Sequence, residues 1–410
     1  MSNEERRIRE TRCAQLSGAE STAARKAAIA SSAKPVVRNE QLDWLRGLLA
    51  LSIMIYHLTT WEFSQPSAST LLGRLGVYGV SMFFVLSGLS IAIAYNRHLV
   101  DTASSVRFLV RRIFRIWPLF WLTVLTVTAM DYGAGTPVRW KLLVANLTTA
   151  FGFISPTSYM TTGAWSIGNE MVYYALTPIL LLTFRRSRTA GNLLVFATIA
   201  VGIFFSTALL SPVDSLSRQW ATYVNPFNNL FLFCSGVALF FLPNPGRKLI
   251  SPFVLLLACA AVLLYWPADG DAINVVTGTN RLVFSLASVG LVLAFYHMRI
   301  TVPFYVTWPL VQLGLATYGI YLLHSVIWRA LRLVVDHMRW SLHGWPVLIG
   351  VGIATVLVAN VLFHTIESYF IQLGKMLTTA TRGAALNRPL ISPDSSSRDP
   401  GLSGQLSSDR

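Results

Sequence analysis

Charge is what this sequence has least of. Only 12% of its 410 residues are Asp, Glu, Lys or Arg, while 53% are hydrophobic; an ordinary soluble domain carries about 25% charged residues. That shortage, with 12 Trp and 23 Phe and a mean hydropathy of +0.53, excludes a conventional water-soluble globule and points to lipid as the solvent. Acidic residues are the scarcer sign, 18 against 33 Lys and Arg, for a net charge of +15. Such an excess would suit nucleic acid. Here the basic residues cluster between apolar runs, which is the charge pattern of membrane topology, so no nucleic-acid partner is expected. Cysteine is nearly missing: Cys13, Cys234 and Cys259 are too few and too scattered for a disulfide framework or a metal site. No apolar core follows the first basic residues either, so a cleavable signal peptide is not expected.

Composition divides the chain into three parts. Residues 1–40 are polar and basic, with RRIRETR and SAKPVVR, and read as a disordered cytoplasmic segment. Residues 378–410 are rich in Ser, Pro, Asp and Gly and read as a disordered cytoplasmic tail. Between them, residues 41–377 form a membrane domain. Windows of about 20 residues suit a hydrocarbon core of roughly 30 Å. They place helices near 42–61, 76–95, 113–132, 164–184, 191–210, 227–242, 252–267, 281–298, 311–331 and 346–366. The fold class is therefore all-α, a polytopic bundle of about ten transmembrane helices. The sixth and seventh spans are brief and flanked by Pro, so eight or eleven spans also fit. KLLVANLTTAFGFI, 141–154, is apolar but short, and reads as interfacial or re-entrant. With the amino terminus inside, 25 of the 33 basic residues face the cytoplasm, so both termini are expected there.

Ionisable residues within such spans are costly and face a protein interior or an aqueous cavity. In the first span, RGLLALSIMIYH sets Arg46 eleven residues before His57. That is three helical turns plus about 20°, so both side chains leave one face roughly 16 Å apart in depth. Arg46 alone reads equally as a topology anchor, and His57 as a hydrogen-bonded packing residue. AWSIGNEMVYYALTP places Trp165, Ser166 and Glu170 at the start of the fourth span. An aromatic belt and a dipole-complementing acid account for this in part, but Glu170 lies more than a turn inside. TYGIYLLH puts His324 within the ninth span, either as packing or as part of a polar cavity. FHTIESYF suggests an interfacial ion pair of His364 and Glu367. In FLVRRIFRIWPLFWL, Arg112 and Arg115 form an i, i+3 pair. Two guanidinium forks on one helix face suit a phosphorylated cytoplasmic ligand, such as a nucleotide or coenzyme A, or else anchor the span.

Together LDWLRGLLALSIMIYH, GVSMFFVLSGLSI, FLVRRIFRIWPLFWL, WSIGNE and YGIYLLH, in that order, resemble the acyltransferase 3 family of integral-membrane O-acyltransferases. The resemblance covers about residues 40 to 375. It implies transfer of an acyl group, most often acetyl, from cytoplasmic acyl-coenzyme A to a hydroxyl on a sugar or other acceptor. The family's Arg-ten-His pattern falls on Arg46 and His57, and its R-x-x-R pair on Arg112 and Arg115. Its W-S/T-L-x-x-E motif falls on Trp165, Ser166 and Glu170, with Ile167 in place of Leu. Its S-Y-x-x-Y-L-x-H pattern falls on Thr317–His324, with Thr for Ser. Glu367 matches a terminal I-E-x-P that lacks its Pro here.

The resemblance and the chemistry then suggest roles. An alcohol becomes a nucleophile when a base takes its proton, and His is poised for that near neutral pH. His57 is the expected base, although an acyl-His relay fits the sequence equally. Glu170 is expected to orient the imidazole, stabilise imidazolium or contact the acceptor. Arg46, Arg112 and Arg115 are expected to hold the donor, and Trp165, Ser166 and His324 the acceptor. No permanently bound cofactor is expected, and acyl-coenzyme A is the donor substrate. The expected partners are a carbohydrate acceptor and the lipid bilayer, at a bacterial inner membrane; oligomeric state is left open. The rival readings are acylation of a small natural product or lipid, and a transporter. No internal repeat supports the transporter.

Overall fold

The computed structural model describes residues 39–242 and 251–386, and these are helical with no strand. The charges of residues 1–38, Arg247, Lys248 and Cys13 lie outside the described residues. The helices are α1 (Glu40–Glu62), α2 (Leu71–Tyr95), α3 (Thr102–Gly133), the short α4 (Trp140–Leu147), α5 (Ala164–Arg186), α6 (Arg188–Phe204) and α7 (Pro226–Phe241). There follow α8 (Pro252–Tyr265), α9 (Gly278–His297), α10 (Phe304–Leu315), α11 (Thr317–His337), α12 (Trp345–Leu362) and α13 (Ser368–Leu386).

Nine of the ten expected spans fall on a single continuous helical stretch, and the ninth, 311–331, straddles α10 and α11, which break at Ala316. Eight helical stretches among the described residues are long and apolar enough to cross a bilayer, so the chain is a multi-pass membrane protein. The other two fall short of that measure for different reasons. Helix α1 is long but carries Glu40, Asp43, Arg46 and Glu62, and α8 is apolar but has only 14 residues. The 141–154 segment is α4 and a one-turn helix, Phe151–Ile154, too short to span. Helix α13 runs to Leu386, past the Thr378 boundary that composition suggested.

Local sequence fixes several helix starts. Asn39 caps α1, Thr70 caps α2 and Ser187 caps α6, each by accepting a backbone N–H. Asp101 and Ser104 form a reciprocal capping box on α3. Tertiary packing relies on small residues, as expected where lipid removes the hydrophobic drive between helices. A Cβ on Gly88 of α2 would stand 2.1 Å from the Phe233 carbonyl, and one on Gly236 of α7 would stand 2.0 Å from that of Val85. Gly47 of α1 and Gly314 of α10 permit a similar approach. Helix α2 is thus enclosed, while α12 turns Ile349, Ile353, Leu357 and Val361 outward at i, i+4 spacing toward lipid.

Two buried arginines, Arg74 and Arg281, are structural features that charge counting treats as loop charges. Arg74 donates to the carbonyls of Ala68, Leu263, Trp266 and Ala268 and closes the carboxyl end of α8. Arg281 donates to Asn229 Oδ1 at 2.8 Å. Arg329 pairs with Asp131, and Arg332 with Glu62, so this basic group ties α11 to α3 and α1. Cys234 and Cys259 are free and buried.

Candidate active site

Helices α1, α2, α3, α5 and the α10–α11 segment line a cavity of about 150 Å³ at the end of the bundle that carries Arg46, Arg112 and Arg115. All three arginines line it. Arg46 donates to Asp43 Oδ1 at 2.5 Å and to Ser90 Oγ. The Arg112 guanidinium sits over the rings of Tyr95, Phe108 and Tyr174 at 5.1, 5.4 and 5.4 Å. Its Nε is buried without a hydrogen-bond partner, a donor left over for a ligand. Arg115 is exposed at the mouth. Glu170 lines the same cavity; its Oε1 accepts Ser87 Oγ–H at 2.6 Å and the Tyr174 hydroxyl.

His57 and His324 lie elsewhere, beyond the deep end of that cavity. His57 Nδ1 and His324 Nε2 are 2.9 Å apart, with the two ring planes 7° from parallel. His324 Nδ1 is 3.2 Å from the Ile320 carbonyl, an acceptor only, so that nitrogen carries the hydrogen. In the neutral ring its Nε2 is then an acceptor for His57 Nδ1–H. This leaves the lone pair of His57 on Nε2. Trp61 lies nearly parallel to both imidazoles, at 5.5 and 5.8 Å. His324 is fully buried while His57 is half-buried, so His57 is the reachable ring.

A family profile, acyltransferase 3, described as an acyltransferase domain, matches residues 39–364. This chain belongs to the acyltransferase 3 family. The acyltransferase is 25% identical to "Acyltransferase MdmB" of Streptomyces mycarofaciens, over 81% of this chain and 91% of that protein. It is 24% identical to "Nodulation protein 10" of Rhizobium leguminosarum bv. viciae, over 74% and 85% of the two chains. With the "Putative peptidoglycan O-acetyltransferase YrhL" of Bacillus subtilis it shares 26% identity, over 80% of this chain and 54% of that one. No solved structure matches. The chain is accordingly a membrane O-acyltransferase, and the transporter reading is set aside.

The acyltransferase brings Arg46, Arg112 and Arg115, the residues expected at the donor, around one cavity, and the same cavity takes in Ser166, expected at the acceptor, and Glu170, expected at the imidazole or the acceptor. It does not bring Glu170 to His57: the group on the imidazole is His324, and Glu170 is turned to Ser87 and Tyr174. His324, expected at the acceptor, is instead wholly enclosed and bonded to His57. Trp165 stands outside the cavity, in an aromatic group with Trp220 and Tyr223 at ring distances of 5.9 and 5.6 Å. No His364–Glu367 ion pair forms. His364 bonds Gln312, while Glu367 is buried on a π-turn within electrostatic reach of Arg115. Ser87 and Ser90 were missed by sequence reasoning. Their i, i+3 spacing in LSGLS was the signal that could have found them.

Proposed function

We propose that this enzyme moves an acyl group, acetyl in the first instance, from cytoplasmic acyl-coenzyme A to a hydroxyl of a bacterial cell-surface or secreted carbohydrate, with His57 as general base. The observation that carries this reading is the imidazole pair. A ring whose Nδ1–H is bonded to a second, fully buried ring has its tautomer and orientation set, and keeps a lone pair on Nε2. His57 Nε2 takes the acceptor's hydroxyl proton as the oxygen attacks the thioester carbon. The C–S bond then breaks, and the sulfur leaves with the proton from His57. His324 stabilises the transient imidazolium through the same hydrogen bond, the part a carboxylate plays in other triads.

The donor's phosphates suit the arginine-lined cavity, since guanidinium forks bind phosphate oxygens in bidentate fashion. The pantetheine arm then runs inward past Ser90 and Ser87. Helix register gives the depth: on α1 about 16 Å separates Arg46 from His57. A carbohydrate acceptor is favoured by the half-exposed Tyr159 and Trp220, bonded Nε1–H to Oη at 2.8 Å, beside Trp165 and Tyr223. Flat aromatic faces with fixed polar edges suit the C–H faces and hydroxyls of a sugar ring. One named relative is a putative O-acetyltransferase of peptidoglycan, itself a glycan polymer.

The test uses membranes holding the wild-type or His57→Ala chain at equal abundance, supplied with radiolabelled acetyl-coenzyme A. Label should enter base-labile ester on envelope carbohydrate with the wild type alone. Equal labelling by the variant would remove His57 from the mechanism.

A further inference from the structure

The donor cavity stops short of the imidazole pair, and the residues that stop it are aromatic. Three helices agree on the order of depth. From the basic end inward, α2 presents Ser90, Ser87 and then Phe83; α5 presents Tyr174, Glu170 and then Ser166; α11 presents Tyr318 and then Tyr321. His324 is the next residue on that face of α11, one turn further. Phe83 and Tyr321 meet edge to face at 6.2 Å, and the Tyr321 ring lies 6.4 Å from that of His324. Tyr321 is therefore both the floor of the donor cavity and a neighbour of the dyad.

The floor is latched. Tyr321 Oη donates to the Gly163 carbonyl at 2.9 Å and lies 2.9 Å from Ser166 Oγ, which itself bonds the Gly163 carbonyl at 2.9 Å. Gly163 has φ +81°, and a Cβ there would stand 2.8 Å from the Tyr321 hydroxyl. The latch needs a glycine for both reasons. A thioester held by the arginines and a hydroxyl held at His57 cannot react across a closed aromatic wall. The wall has to part, and its opening is bounded by the rings of Phe83 and Tyr321.

We propose that Phe83 and Tyr321 form an aperture through which only the acyl end of the donor passes, and that this aperture sets the acyl size the enzyme accepts. The proposal rests on the acyl-coenzyme A reading above and adds the selectivity of that donor. Small acyl groups pass when Tyr321 swings from Ser166 and Gly163. Long chains meet the rings and are refused, and water is kept from the thioester until an acceptor is present.

The experiment measures transfer and hydrolysis of acetyl-, butyryl- and octanoyl-coenzyme A by purified wild type, Phe83→Ala, Tyr321→Ala and Tyr321→Phe. The wild type should favour acetyl over octanoyl by at least tenfold, and the two Ala variants should reverse or erase that preference. Tyr321→Phe keeps the ring and loses the latch, so acceptor-free acetyl-coenzyme A hydrolysis should rise several-fold with chain-length preference retained. Binding of unacylated coenzyme A reports that each variant is folded. Variants that bind it as the wild type does, yet keep the wild-type preference and hydrolysis rate, would overturn the aperture and leave the donor reading standing. A wild type that binds no coenzyme A would overturn both.

Discussion

At the scale of single residues, the informative feature is a histidine whose partner is another histidine. His324 Nδ1 is committed to the Ile320 carbonyl, so the pair has a direction, and the basic lone pair sits on the more exposed ring. General-base assistance is worth about 10²–10⁴-fold, and a misoriented base loses much of it. His324→Ala should therefore lower kcat by about 100-fold or more while leaving KM for acetyl-coenzyme A nearly unchanged. A raised KM with normal kcat would assign His324 to binding. The cavity arginines predict the opposite split. Arg112 has an unpartnered buried Nε, and Arg112→Gln should raise KM for the donor at least tenfold with a smaller loss of kcat. Steady-state kinetics over a donor titration separates the two.

At the scale of elements, packing depends on which backbones can touch. Gly88 and Gly236 face each other's helices with no room for a side chain. Overpacking a fitted interior costs about 1–3 kcal/mol, sometimes more. Gly88→Val should sit at or above the top of that range, because the obstacle is a backbone carbonyl that cannot swing aside; the recovery of monodisperse protein in detergent reads this directly. At the opposite end, the Glu62 side chain accepts from Arg332, from Trp328 Nε1 at 2.7 Å and from Gly344 N at 2.9 Å. Removing the cation from a buried pair costs about 3–5 kcal/mol, so Arg332→Ala should lower the melting temperature markedly, and by more than Arg218→Ala, whose ion pair is exposed.

Helix α3 offers a pH test on its exposed cap. The Ser104 hydroxyl and backbone N–H hold the Asp101 carboxyl below the usual carboxylate range. A lowered pKa means the cap contributes fully above the ordinary carboxylate value and is lost as pH falls through the lowered one. Asp101→Asn keeps an oxygen acceptor, so thermal melts of this variant should lose that acid-dependent component.

At the scale of the whole molecule, the bundle separates two kinds of chemistry along its axis. Arginines and hydroxyls gather around the cavity at one end, and the His57–His324 pair lies beyond its aromatic floor. This arrangement suits a donor and an acceptor that approach from opposite sides. It requires the end carrying Arg46 to be cytoplasmic, as the charge bias along the chain suggests. Reporter fusions in the loops between α3 and α5 and between α11 and α12 should appear outside, and fusions between α2 and α3 inside. The reverse pattern would turn the donor cavity away from the cytoplasm and remove its substrate.

The sequence by itself determined the solvent, the class of fold, the position of nine of the ten expected spans and the sharing of one face by Arg46 and His57. These follow from hydropathy, charge bias and the 3.6-residue period, which act along the chain over a few turns. It also determined the family, because the motifs stand in order. Only the tertiary structure decided that His57 meets His324 and not Glu170, that Glu170 belongs with Ser87 and Tyr174, and that Arg74 and Arg281 are buried. Those contacts join residues as much as 267 positions apart. They depend on how each helix is rotated about its axis and how near its neighbour stands, which glycine-to-backbone contacts such as Gly88 to Phe233 fix and hydropathy does not report.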